Sequence, residues 1–143
     1  MPFDDPVIHV MTEDPITLEL NQKLSDAQSI FSKGQIHHLP VVEDGKLVGI
    51  LTSNDMIKLS KLYDDDNPAN EFLDRQYTVA EVMHRNPVSV GVDATIREAA
   101  RILAAGGFHG LPVVGYNNLL KGIVTTTDLI ELLLRKLPQT AEA

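Results

Sequence analysis

Residues 36–55, IHHLPVVEDGKLVGILTSND, return at 108–128 as FHGLPVVGYNNLLKGIVTTTD. His37, Leu39, Pro40, Val41 and Val42 recur 72 positions on as His109, Leu111, Pro112, Val113 and Val114. Past them the offset becomes 73, so that Gly49, Thr52 and Asp55 match Gly122, Thr125 and Asp128. The extra residue falls around Asp44-Gly45 and Tyr116-Asn117-Asn118, turn-forming stretches where an insertion disturbs least. Upstream, Val10-Met11, Pro15, Ala27 and Gly34 return at the offset of 72 as Val82-Met83, Pro87, Ala99 and Gly106. The chain is a duplication, and its period decides how the rest is read.

Each copy reads as strand, helix, strand, strand, helix. In the first, Ile16 to Leu20 alternates apolar and polar residues, the pattern of a half-buried strand. Asn21 is placed to cap a helix running to about Gly34, and Asp93 holds the matching place in the second copy. Leu39 to Val42 and Leu47 to Leu51, joined by Asp44-Gly45, read as a hairpin. A helix follows from about Ser53 to Leu62. In the second copy the elements fall at roughly 88–92, 95–105, 110–114, 119–124 and 126–136. A short lead-in helix precedes each copy. One starts at Asp5-Pro6, with proline at the first helical position; the other starts at the capping box Thr78-Val79-Ala80-Glu81. The organisation is therefore repeat 1 at 7–62, an acidic linker at 63–77, repeat 2 at 78–136 and a tail at 137–143. A copy of about 55 residues buries little core alone. Two are expected to pack through their sheets into one pseudo-twofold module.

Composition narrows the function. Of 143 residues, 43% are hydrophobic and 22% charged, which is ordinary for a globular chain. No apolar run approaches the roughly 20 residues needed to span a bilayer, and the first ten residues do not read as a secretory signal. The absence of cysteine rules out thiolate chemistry and disulfides, and a cytoplasmic location fits. Twelve Lys+Arg against twenty Asp+Glu give a formal charge of −8, unsuited to nucleic acid. The run Asp64-Asp65-Asp66 reads as a solvated linker before it reads as a cation site.

No nucleophile elbow, phosphate-binding glycine loop, dinucleotide fingerprint or HExxH is present, so no catalytic residue is assigned. His9, His37, His38, His84 and His109 lack the i, i+4 spacing of paired metal ligands, and no metal site is assigned. Adjacent positions on a strand send His37 and His38 to opposite faces. The pattern that stands out is Gly-Ile-x-Thr-x-x-Asp, at 49–55 and again at 122–128. There a strand ends and a helix begins, a junction that gathers free N–H groups and hydroxyls and favours an anion. Asp55 and Asp128 either cap the helix or accept hydrogen bonds from a pair of sugar hydroxyls.

The Met-x-x-x-Pro start, the His-x-Leu-Pro-Val-Val strand and the Gly-Ile-x-Thr-x-x-Asp exit, in that order and twice over, resemble tandem cystathionine β-synthase (CBS) domains. The resemblance covers residues 7–136. It implies an α/β (α+β) fold of two β-α-β-β-α repeats with two symmetry-related clefts between them. It further implies a regulatory, non-catalytic role in which AMP, ADP, ATP or S-adenosylmethionine acts as ligand. No other cofactor is implied. Carried over residue by residue, Asp55 and Asp128 would hold ribose hydroxyls, with Thr52 and Thr125 near ribose or phosphate. Thr17 and Ser89 would approach base or phosphate. Ile36 with Pro40, and Phe108 with Pro112, would wall an adenine slot.

The family often places a basic residue shortly before Leu-Pro to meet phosphate. Here that place holds His37 and His38 in one copy and His109 followed by Gly110 in the other. Imidazole is charged only near or below a pH of about 6.5, so phosphate binding is expected to tighten from pH 8 to pH 6. The bland alternative is that these histidines only finish the strand edge. The apolar excess on the second copy's helices, notably Leu129, Ile130, Leu132, Leu133, Leu134 and Leu137, favours a homodimer interface over burial within one chain. With no effector domain in the sequence, regulation would act on a separate, unidentified effector protein. The competing reading is a dimeric structural or interaction scaffold with clefts that bind nothing.

Overall fold

The computed structural model describes residues 2–57, 59 and 70–138. In chain order the elements are β1 (Thr12–Glu13), β2 (Leu18–Glu19), α1 (Leu24–Phe31), β3 (His38–Glu43), β4 (Lys46–Thr52), α2 (Ser53–Ile57) and α3 (Asn70–Gln76). Then come α4 (Val79–Val82), β5 (His84–Arg85), β6 (Val90–Gly91), α5 (Ile96–Ala104), β7 (Gly110–Val114), β8 (Leu120–Thr125) and α6 (Thr126–Lys136). The chain is a mixed α/β protein with two four-stranded sheets, ordered β2-β3-β4-β5 and β1-β8-β7-β6. The part of the expected first-repeat helix beyond residue 59, the acidic run and the end of the tail lie outside the described residues. Within the stretch expected as linker, α3 forms and reaches back to α1. There the Asp74 carboxylate accepts from the Ser25 N–H at 3.1 Å and from its hydroxyl at 2.6 Å.

Two compact units divide the chain, and they interleave in sequence. One gathers the described residues within 16–87 with 117–119; the other gathers those within 2–15, 88–116 and 120–138. In the first unit, β3 and β4 form the hairpin, β2 runs parallel to β3, and β5 adds antiparallel to β4. Leu18, Leu24, Ala27, Leu39, Val41, Leu51, Met56 and Val79 form its buried core. Each large apolar side chain so buried stabilises by about 1.5–3 kcal/mol. In the second unit, β6 runs parallel to β7, β7 pairs with β8, and β1 adds to the free edge of β8. Its core is Val7, Val90, Ala94, Ala99, Leu103, Leu111, Val113 and Val124.

Each lead-in segment packs on the sheet of the other copy. Segment 79–85 closes the sheet of the first copy, and segment 6–13 closes that of the second. The Gly-Ile-x-Thr strand accommodates this packing. A Cβ added at Gly49 would overlap the Met83 Sδ, and one at Gly122 would overlap the Met11 Sδ. Glycine in one motif makes room for methionine of the other, crosswise between copies.

Helix starts differ from expectation in both copies. Residues 19–22 close a turn, with Gln22 N–H bonded to the Glu19 carbonyl at 2.9 Å, so Asn21 is used before the helix begins. The N-cap of α1 is Lys23, whose N–H donates to Asp26 at 2.9 Å. Likewise Ala94 N–H closes a turn on the Gly91 carbonyl across Asp93, and Thr95 caps α5 by accepting from the Glu98 N–H at 3.0 Å. Pro6 is extended and stands at the N-cap of a single 3-10 turn, Val7–His9, instead of inside an α-helix. Val7 N–H is bonded to the Ala94 carbonyl and the Asp5 carbonyl to the Ile96 N–H, which ties this turn to the start of α5. The Thr78 box forms as read: Glu81 N–H donates to the Thr78 hydroxyl at 3.2 Å, and Thr78 N–H to the Glu81 carboxylate at 3.0 Å.

Candidate functional site

Because β2 and β3 are parallel and β4 is antiparallel to β3, the start of β2, the start of β3 and the end of β4 meet at one edge of the sheet. That edge carries Thr17, one residue ahead of β2; Ile36, His37, His38 and Pro40; and Thr52 with Asp55. His38 stands opposite Thr52, and Pro40 opposite Ile50. The same construction in the second unit gathers Ser89, Phe108, His109, Pro112, Thr125 and Asp128, with Gly110 opposite Thr125 and Pro112 opposite Ile123. All thirteen residues singled out from the sequence therefore sort into two sheet ends, one per unit. Pro40 and Pro112 are buried, and Ile36 and Phe108 are half-buried against their cores.

The Thr-x-x-Asp segments are reciprocal capping boxes. Thr52 N–H donates to Asp55 Oδ2 at 2.8 Å, and Asp55 N–H donates to Thr52 Oγ1 at 3.2 Å. Thr125 and Asp128 repeat the pair at 2.9 and 3.1 Å. A box satisfies two backbone donors that a helix start leaves open. It spends one carboxylate oxygen, Oδ2, on this local bond. The capping role read from the sequence is thus real in both copies, and the cap itself does not use Oδ1 of either aspartate. A neighbouring carbonyl ties the preceding loop to the same place: the His37 carbonyl accepts from Ser53 N–H at 3.0 Å, and the His109 carbonyl from Thr126 N–H at 2.9 Å. The His37 ring lies 3.5 Å from the Ser53 hydroxyl. His37 and His109 are exposed beside their boxes, whereas His38 is half-buried.

One residue that sequence reasoning did not place at the site enters it. His84, the first residue of β5, sets its Nε2 2.9 Å from Asp55 Oδ1. The histidine side chain is 64% exposed and the aspartate 18%, so the pair sits at the mouth of the sheet end. Its repeat counterpart is Thr12, since Ile50 faces His84 as Ile123 faces Thr12. The signal was present in the alignment of the two copies, but it required knowing that the lead-in of the second copy packs on the first. Among the described residues no group of three or more His, Asp or Glu side chains converges as metal ligands. No described helix is long and apolar enough to cross a membrane.

Comparison with known proteins matches both halves of this construction. The CBS domain family model matches residues 7–61 and 79–135. A CBS domain-containing protein of Dictyostelium discoideum is 32% identical over 134 residues, spanning 92% of each chain. Some relatives are much longer, and the chain spans 22% of one of them. Among solved structures, CBSX2 in complex with AMP superposes with a TM-score of 0.76 at 25% identity, over 92% of this chain and 97% of that one. The CBS domain pair of protein MJ0100, in complex with 5′-methylthioadenosine and S-adenosyl-L-methionine, superposes with a TM-score of 0.74 at 32% identity, over 92% and 98%. With two matched repeats, two sheet ends built alike and relatives of the same length, the chain belongs to the CBS domain family.

Proposed function

We propose that this chain is a regulatory, non-catalytic module that binds an adenosine-type nucleotide and passes that signal to a separate effector protein. The observation that carries the reading is the repeated sheet end, where Asp55 and Asp128 each commit one carboxylate oxygen, Oδ2, to the cap and leave the other outside it. A carboxylate oxygen so fixed is suited to accept from a ribose hydroxyl, and bonds to a charged acceptor contribute about 1.5–3 kcal/mol each. Thr52 and Thr125 stand beside it, Thr17 and Ser89 across the strand edge, and Ile36, Pro40, Phe108 and Pro112 supply apolar surface for a purine. His37, His38 and His109 take the phosphate side. Relatives solved with AMP, or with S-adenosylmethionine and 5′-methylthioadenosine, support the ligand class. AMP, ADP, ATP and S-adenosylmethionine are therefore the ligands to try. The acidic chain favours neither nucleic acid nor a membrane surface as partner, and we place it in the cytoplasm.

Dimerisation is part of the proposal. On α6, Ile130, Leu133 and Leu134 are 52%, 47% and 63% exposed and their spacing aligns them on one face, and Leu137, the residue that ends the helix, is 50% exposed. A second copy of the chain would cover this stripe.

The test is calorimetric titration of the protein with AMP, ADP, ATP and S-adenosylmethionine. Micromolar binding of at least one, lost in the D55N/D128N double variant, is the expected result. Asparagine keeps one acceptor oxygen for the cap while removing the charge. Failure of all four ligands would favour the second reading, a dimeric scaffold that binds no nucleotide. That reading draws on the fact that the cap accounts for Asp128, and the cap together with the His84 contact for Asp55.

A further inference from the structure

The two sheet ends are not equivalent, and the difference is a side chain on the strand that each unit borrows. Resting on the nucleotide reading above, we infer that His84 is a positioning residue that occupies the ribose-facing oxygen of Asp55, so the two ends differ in their affinity for a ribose diol. At the first end Oδ2 is bonded to Thr52 N–H, and Oδ1 is bonded to His84 Nε2. At the second end Oδ2 is bonded to Thr125 N–H, and among the described residues no ion pair is made to Asp128.

Thr12 holds the position of His84 in that second sheet, opposite Ile123, but its hydroxyl is one bond from Cβ where the imidazole Nε2 is three. The shorter side chain cannot span to the next strand-to-helix junction as the histidine does. A ribose approaching Asp128 therefore meets an open acceptor, whereas one approaching Asp55 must first displace an imidazole. The histidine is exposed enough to swing away into solvent, so the first end is handicapped and not closed. An exposed pair of this kind is worth little, and its displacement should weaken binding about two- to fivefold.

The experiment is a nitrogen–proton NMR titration of the whole protein with 5′-methylthioadenosine, which carries the ribose diol and no phosphate. The amides of Thr52 and Asp55 report one end; those of Thr125 and Asp128 report the other. In the natural sequence the second end is expected to fill at about two- to fivefold lower concentration. H84T should abolish that gap by tightening the first end, and T12H should weaken the second. The gain in H84T should vanish for 2′,3′-dideoxyadenosine, which lacks the diol; a merely structural effect of the substitution would move both ligands alike. Two ends that bind equally, or a first end indifferent to H84T, would overturn the inference and leave the nucleotide reading intact. Binding at neither end would overturn both.

Discussion

The first sheet end and the second are built from the same motif, yet they present different chemistry. At the first, Asp55 is held by Thr52 on one side and His84 on the other, with His37 and His38 at the head of β3. At the second, Asp128 is held by Thr125 alone among these partners, with His109 followed by the side-chain-free Gly110. What survived duplication is the part the backbone needs: the capping box, the proline in the central strand and the glycine that admits a methionine. What drifted is the set of side chains around the free carboxylate oxygen. The comparison teaches that the fold fixes an acceptor at each end, while neighbours outside the motif set what that acceptor can hold.

The largest effect expected from breaking the comparison is at the carboxylates. D55N should weaken nucleotide binding at the first end, and D128N at the second, each by about tenfold to a hundredfold, with the other end untouched. Titration of each single variant, followed at both ends, checks this. Alanine at the same places removes the cap as well. D55A and D128A should each lower stability by about 1 kcal/mol, read from the denaturant midpoint, whereas the asparagine variants should stay close to the natural protein. A binding loss in D128A without any stability loss would mean the box contributes nothing to the fold.

A smaller effect should separate the ends by phosphate. The preference for AMP over 5′-methylthioadenosine should be about two- to fivefold larger at the first end, with its two histidines, than at the second. Titration of both ligands, followed at each end, would show it. The smallest effect lies away from both ends. The Arg97 guanidinium, 2.9 Å from Asp4, holds that carboxyl below its ordinary range by hydrogen bonding and charge. The unfolded chain therefore binds this proton more readily, so the contact stabilises at neutral pH and is lost as pH falls through the acid carboxylate range. R97A should raise the acid-unfolding midpoint only slightly, since both groups are exposed.

Much of this was legible in the sequence because it depended on local chemistry. The period of 72 to 73 residues, the hairpins at Asp44-Gly45 and Asn117-Asn118, and the Thr78-Glu81 box follow from residues near one another in the chain. The candidate residues fell at two sheet ends because strand order and direction bring strand starts and strand exits together. Other features were not legible, for a physical reason in each case. Asn21 and Asp93 look like caps, but each is consumed by a turn closed through backbone bonds. The exchange of lead-in segments is invisible because Met11 and Met83 follow the same pattern and either could fill the space over either glycine; only the assembled sheets decide. His84 could not be assigned to Asp55 without that exchange. The capping carboxylate of Asp74 on α3 came from a stretch whose composition suggested only a linker.

The most direct test of the central claim is a site-resolved NMR titration with AMP. Saturable shifts of the amides of Thr52–Asp55, Thr125–Asp128 or both, removed at the affected end by D55N or D128N, are the expected result. A protein that stays folded and shows no shift at either box, or binds AMP elsewhere with both aspartates replaced, would contradict it.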